Sequence, residues 1–327
     1  MKHIWRDGIM GVVVGDALGC PVQFESREEV ATHPVTGMRG YGTFNLPEGS
    51  WTDDSSLTLA LLDSLNKKDN IDLEDIMRNF IAWLDFGEYT PYGYSYDIGR
   101  GTMNGINKYK RTRDPQNCGG TEVNNNGNGS LMRIMPICLY CYEKGYDDET
   151  AIKHIHDVSG LTHAHIRSKI ACGLYYFIVK AIIEDDGTLV KRLQHGIIHG
   201  FNYYMKHLDL ETYKKEMDCF DRLYDLSEFA KIPEYKIKSS GYVVDSIEAS
   251  VWSLITTSNA TEAYLNAVNL GDDTDTIGAI TGGLIGLFYG FNAIPNGWAD
   301  AIQKKDWILD MCEVADERLN KHMFTAQ

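Results

Sequence analysis

Two clusters of acids and hydroxyls stand out for the chemistry they could do. Thr52-Asp53-Asp54-Ser55 sets four hydrogen-bonding side chains in a row ahead of a leucine-rich run. Asp272-Asp273-Thr274-Asp275-Thr276 sets five in a row about 220 residues later. Carboxylates and hydroxyls are hard oxygen donors, suited to magnesium, manganese or calcium rather than zinc. Each cluster falls at an expected helix start, so several donors share one turn and can aim into a common space. Two such clusters could hold two cations close together. Helix capping accounts for one Thr or Asp at each place, and spacing alone leaves both readings open. An Asp-x-Asp-Thr string also occurs in phosphoryl-transfer enzymes, so the acids by themselves leave the reaction class open too.

A second feature is Gly127-Asn128-Gly129-Ser130, expected at a helix start. Backbone N–H groups there could cradle phosphate oxygens; a solvated turn is the plain alternative. His163 and His165, in Leu161-Thr162-His163-Ala164-His165, are expected to open a long central helix, as structural residues or as ligand contacts. His154 and His156 lie on a more polar helix and are expected to face solvent. Cys138 and Cys141 form a C-x-x-C with no second pair, which reads as small apolar residues on one helical face rather than a zinc or redox site.

The elements that must position these residues are helical. Leu57, Leu61, Leu62 and Leu65 make one stripe over 56–65. Over 72–86, Ile76, Phe80, Ile81 and Leu84 share a face behind an acidic first turn. The segment 164–184 is apolar almost all round, as a central buried helix would be. Further helices are expected over about 188–206, 211–229, 243–257, 261–269, 277–290 and 298–318. Alternating strand patterns are scarce, so the fold class is all-α. No linker, repeat or compositional shift divides residues 1–327, and one domain is expected.

The 327 residues carry a formal net charge of −15, which argues against a general nucleic-acid binder. No apolar run approaches the roughly 20 residues needed to span a bilayer. The N-terminus turns quickly from Met1-Lys2-His3 to small and apolar residues and breaks at Gly15-Asp16, so it reads as mature sequence rather than a signal peptide. Seven scattered cysteines fit reduced thiols and a cytoplasmic setting.

Taken in order, several segments resemble the ADP-ribosylglycohydrolase family, particularly its arginine-specific hydrolases and the dinitrogenase-reductase-activating glycohydrolase. Gly11-Val12-Val13-Val14-Gly15-Asp16-Ala17-Leu18-Gly19, followed by Pro21-Val22-Gln23-Phe24-Glu25-Ser26, is similar to the family's N-terminal motif. Trp51-Thr52-Asp53-Asp54 resembles its first metal motif. Tyr96-Asp97-Ile98-Gly99, Gly127-Asn128-Gly129-Ser130-Leu131-Met132-Arg133 and Thr162-His163-Ala164-His165 come next. Ser239-Ser240-Gly241-Tyr242-Val243-Val244-Asp245 and Gly271-Asp272-Asp273-Thr274-Asp275-Thr276 complete the series.

The resemblance implies a single-domain orthogonal helical bundle with a binuclear metal cleft holding two divalent ions, Mg²⁺ or Mn²⁺. Thr52, Asp53, Asp54, Asp273, Asp275 and Thr276 would be the ligands, with Asp272 outside that set. Gly99 falls in the matching Asp-Ile-Gly motif; Gly127, Asn128, Gly129 and Ser130 would hold the diphosphate; His163 and Tyr242 would lie along the ADP-ribose. Many relatives carry glutamate where this chain has Gln23, and a neutral glutamine can orient a water or a ribose hydroxyl but cannot serve as a base. Asp97 is then the expected base, with Glu25 as the alternative. The implied activity is metal-dependent hydrolysis of an ADP-ribosyl linkage, arginine-linked by preference, on a modified protein or a small ADP-ribose derivative. Three other readings stand beside it: hydrolysis of serine-linked or O-acetyl-ADP-ribose, a non-catalytic ADP-ribose-binding or structural member, and a binuclear nucleotide phosphohydrolase.

Overall fold

The helix Ile4–Gly19 carries a glycine at every fourth position from 11 to 19, and Thr274–Tyr289 does the same from 278 to 286. The two helices pack antiparallel along these stripes. A Cβ on Gly11 would run into the carbonyl oxygen of Gly282, one on Gly15 into that of Gly278, and one on Gly286 into that of Asp7. Backbones approach this closely only where side chains are missing, which explains a small-residue stripe in two otherwise apolar helices. The crossing brings Asp16, near the end of the first helix, beside Asp275 at the start of the second. Thr274 Oγ1 closes the joint by donating to Gly19 O at 2.8 Å.

Around this pair the computed structural model, which describes residues 3–325, arranges the remaining helices as an all-α orthogonal bundle. Among the described residues no strand forms; bridges are isolated, as between Gly120 and His163 and between Gly127 and Tyr242. Ile166–Glu184 is buried on nearly every side, as its composition requires, and Tyr175 ties it to the glycine pair through a 2.9 Å bond to Ile280 O. One buried apolar cluster runs from Ile4 to Leu319. Among the described residues no helix is long and apolar enough to cross a membrane.

Several expectations are corrected. Gly15-Asp16, where the apolar run is interrupted, lies inside the helix Ile4–Gly19 and is buried at the crossing. The stretch 211–229 is not one helix: Leu210–Met217 gives way to 3₁₀ turns over Asp218–Tyr224 and a short Leu226–Phe229 turn. The 298–318 segment divides into Asn296–Ala301 and Lys305–Thr325 around Lys304 at φ 53°. His156 is not solvated; its ring lies parallel to that of Tyr204, and its Nε2 meets the phenol oxygen at 2.9 Å. Cys138 and Cys141 are buried free thiols on the helix Met135–Glu143, as small apolar residues would be.

Candidate active site

Both acid clusters sit at helix N-termini that meet. Thr52 caps Asp53–Lys68, and Asp273 stands at the head of Thr274–Tyr289. The Thr276 hydroxyl donates to Asp54 Oδ2 at 3.4 Å, and Thr52 Oγ1 lies 3.1 Å from the same oxygen. Beneath them Asp16 accepts four hydrogen-bonding groups: Thr52 N and Oγ1 at 3.0 Å, Ser55 N at 3.0 Å and Ser55 Oγ at 2.5 Å. Asp16 therefore fixes the start of the 53–68 helix against the glycine crossing. Burial pushes its carboxyl up to about 7 even against those donors.

A cavity of about 460 Å³ opens above this floor. Its wall contains Gln23, Asp53, Asp97, Gly99, Gly127, Asn128, Gly129, His163, Asp273 and Thr276, so ten residues singled out in the sequence share one space. Asp54 and Asp275 are buried behind it with Thr52. The electrostatics are one-sided. Burial raises Asp53, and the neighbours that raise it further are Asp97, Asp54, Asp16 and Asp273. Asp54 and Asp275 are raised by burial and then by members of the same group. A buried cluster of like charges is costly unless something positive offsets it.

The donor set fits a hard cation. Asp54 Oδ1, Asp275 Oδ2 and Gln23 Oε1 are buried with no hydrogen-bond partner, an expense a fold rarely tolerates without a use. Among the described residues no three His, Cys, Asp or Glu side chains form by themselves a group that could hold a metal ion. A cation here would draw on the hydroxyls of Thr52 and Thr276 as well as on the acids.

Asp97 occupies the edge of the cluster. Its backbone lies in the left-handed region at φ 53°, unusual for a non-glycine residue and less so for Asp. Burial raises its carboxyl, while the neighbouring Gln23 amide pulls it back down. Gln23 thus steadies Asp97.

Several of the singled-out residues lie elsewhere than expected. Gly127–Ser130 is not at a helix start: the chain turns through 128–133 and the helix begins at Met135. The Asn128 amide donates to Asp273 Oδ2 at 2.6 Å and to Ser246 Oγ at 2.8 Å, so it buttresses a site acid. Ser130 is fully buried off the cavity wall, its Oγ 2.8 Å from Ser159 Oγ. Tyr242 and Glu25 do not line the cavity either. The Tyr242 phenol accepts from Arg167 Nη1 at 3.0 Å, and Glu25 holds the backbone of Asp272 through its carbonyl oxygen at 2.7 Å. Asp272 itself is exposed and lies off the cavity wall. His163 precedes the long helix instead of starting it; His165 caps that helix.

Sequence reasoning passed over Asp16. Its signal was present, an acid set within the apolar, glycine-spaced run 8–19.

A family model described as ADP-ribosylglycohydrolase matches residues 5–325. The ADP-ribosylarginine hydrolase Tri1 of Serratia proteamaculans is 28% identical over 311 residues, covering 94% of this chain and 77% of that protein. The ADP-ribosyl-[dinitrogen reductase] glycohydrolase of Rhodospirillum rubrum is 29% identical over 302 residues, covering 90% and 89%. A solved structure titled ADP-ribosylglycohydrolase-related protein complex superposes with a TM-score of 0.74 at 27% identity, over 95% of this chain and 96% of that one.

Proposed function

The chain belongs to the ADP-ribosylglycohydrolase family, and from that premise we propose that it is a hydrolase releasing ADP-ribose from arginine side chains of modified proteins. The observation that carries this reading is the convergence of Asp53, Asp97 and Asp273 on one cavity whose lining also includes Gly99, Gly101, Gly127, Gly129 and Asn128. The acids suit a sugar carbon that gains positive charge as its bond breaks. Side-chain-free backbone at the glycines leaves room for a diphosphate.

Thr52, Asp53, Asp54, Asp273, Asp275 and Thr276 would hold two divalent ions, Mg²⁺ or Mn²⁺, whose Lewis acidity would lower the pKa of a nearby water and offset the clustered charge. The chain's own work is then proton handling and orientation. Asp97 takes the proton from the attacking water as its oxygen bonds to C1 of the ribose. The C1–N bond breaks, and its electron pair leaves with the guanidine, which was protonated beforehand and so departs neutral. Gln23 keeps Asp97 aimed, and Asn128 does the same for Asp273. The acidic floor favours a guanidinium-bearing substrate over a neutral ester. A cytoplasmic setting belongs to the same reading, since the seven cysteines are free thiols.

The test is product identification by mass spectrometry on peptides carrying arginine- or serine-linked ADP-ribose and on O-acetyl-ADP-ribose. Intact ADP-ribose from the arginine-linked peptide is expected. Release from serine alone would overturn the linkage, and AMP or phosphate in place of ADP-ribose would overturn the reaction class.

A further inference from the structure

His163 has one ring nitrogen against a hydroxyl and the other against glycines. Its Nδ1 lies 2.8 Å from Thr162 Oγ1, and that hydroxyl accepts a 2.7 Å bond from Arg133 Nη2. All three side chains are buried. Arginine can only donate, so it occupies a lone pair of the Thr162 oxygen. The hydroxyl hydrogen still needs an acceptor in a place closed to water, and Nδ1 is within reach. Were Nδ1 to carry the proton, the hydroxyl would accept twice and its own hydrogen would be stranded.

The far side of the ring is open by design of the sequence. A Cβ on Gly101 would stand 2.6 Å from Nε2, one on Gly127 3.5 Å from Nε2, and one on Gly129 2.8 Å from Cε1. These glycines and His163 line the cavity. The ring's backbone is fixed as well: Ser159 Oγ donates to His163 O at 3.1 Å, and Gly120 N donates to Thr162 O at 3.1 Å.

We propose that Arg133 and Thr162 are positioning residues that hold His163 as its neutral Nε2–H tautomer, so that it presents a fixed N–H donor to an oxygen of the ADP-ribosyl group. The donor role rests on the hydrolase reading above. The relay also gives a use to an otherwise expensive feature. Arg133 is fully buried over the ring of Phe80 at 4.8 Å, with Nε and Nη1 unpartnered, and a buried cation without a carboxylate is costly. Burial, reinforced by the Arg133 charge, drives the imidazole pKa down to about 3, which keeps the donor neutral throughout the working range. A positively charged ring would instead bind any anion with little regard to geometry.

Nitrogen NMR on histidine-labelled protein, with the His163 signals assigned by His163→Gln, reads the tautomer directly. The free wild-type chain should show Nε2 protonated and Nδ1 bare at every pH from about 5 to 8. Thr162→Val removes the hydroxyl and should mix the tautomers and weaken ADP-ribose binding, measured by calorimetry, by about tenfold. Thr162→Ser should restore both. An imidazolium signature at the acid end, a proton on Nδ1, or a folded Thr162→Val with unchanged tautomer and affinity would overturn the proposal. Because the wild-type spectrum is itself decisive, misfolding of the valine variant would not shield it. Failure of the wild type to bind ADP-ribose with the Nε2–H form intact would count against the hydrolase reading and the donor role, while the relay would stand.

Discussion

Thr276 donates its hydroxyl to Asp54 across 3.4 Å although 222 residues separate them in the chain. That bond joins the N-termini of two helices, and Asp16 fastens one of them from below through Thr52 and Ser55. The site is therefore a property of how three helices cross.

Asp16→Asn tests the fastening. A carboxylate accepts all four groups from Thr52 and Ser55, whereas an amide turns an N–H toward donors. The variant should unfold in urea about 2–4 kcal/mol more easily, and the part that stays folded should lose most of its turnover. Stability equal to wild type would show that Asp16 does not organise the helix start.

Gly15→Ala tests the crossing. The new methyl meets the Gly278 carbonyl, so the helices must part. A loss of about 3 kcal/mol or more is expected in thermal or urea unfolding, with activity falling alongside as Asp16 and Asp275 separate. Alanine at the exposed Gly145, which has open space but a φ of 63°, should cost only about 1 kcal/mol.

Gln23→Glu tests the steadying of Asp97. The glutamine amide lowers Asp97, and a carboxylate in its place would raise it. The acid limb of the kcat/KM profile should move up by about one pH unit, with activity at neutral pH reduced. Higher neutral activity would show instead that position 23 supplies the base.

His163 gives a stability signature with a definite sign. Unfolded, it takes a proton near 6.5; folded, it stays neutral down to about 3. Between those values the unfolded chain holds the extra proton, so stability drops as pH falls below 6.5. From pH 7 to pH 5 the loss is about 2 kcal/mol. Urea titrations of His163→Gln should show the slope reduced by that amount, with His156, also held down to about 3 by burial, supplying a similar share that remains; an unaltered slope would mean the ring titrates freely in the fold.

Much of this was legible in the sequence because chemistry was locally concentrated. Asp53-Asp54 and Asp273 to Thr276 gave themselves away by crowding, and the resemblance placed Asp97, Gln23 and His163 in one space with them. What stayed hidden depends on three-dimensional direction. Glu25 and Gln23 are two residues apart, yet only Gln23 turns into the cavity, because the chain passes through Phe24 at φ 69° between them. Ser130 belongs to the right loop but faces Ser159 in the core. Asp16 interrupts an apolar run, and only the crossing of two glycine-striped helices shows that it is buried.

Metal-dependent turnover of Asp53→Ala and Asp275→Ala bears most directly on the convergence of the two acid clusters. ADP-ribose release from an arginine-modified peptide should require added Mg²⁺ or Mn²⁺, stop in EDTA, and fall by about a thousandfold or more in each variant. Full wild-type activity in EDTA, or in either alanine variant, would contradict a shared cation site at the floor of this cavity.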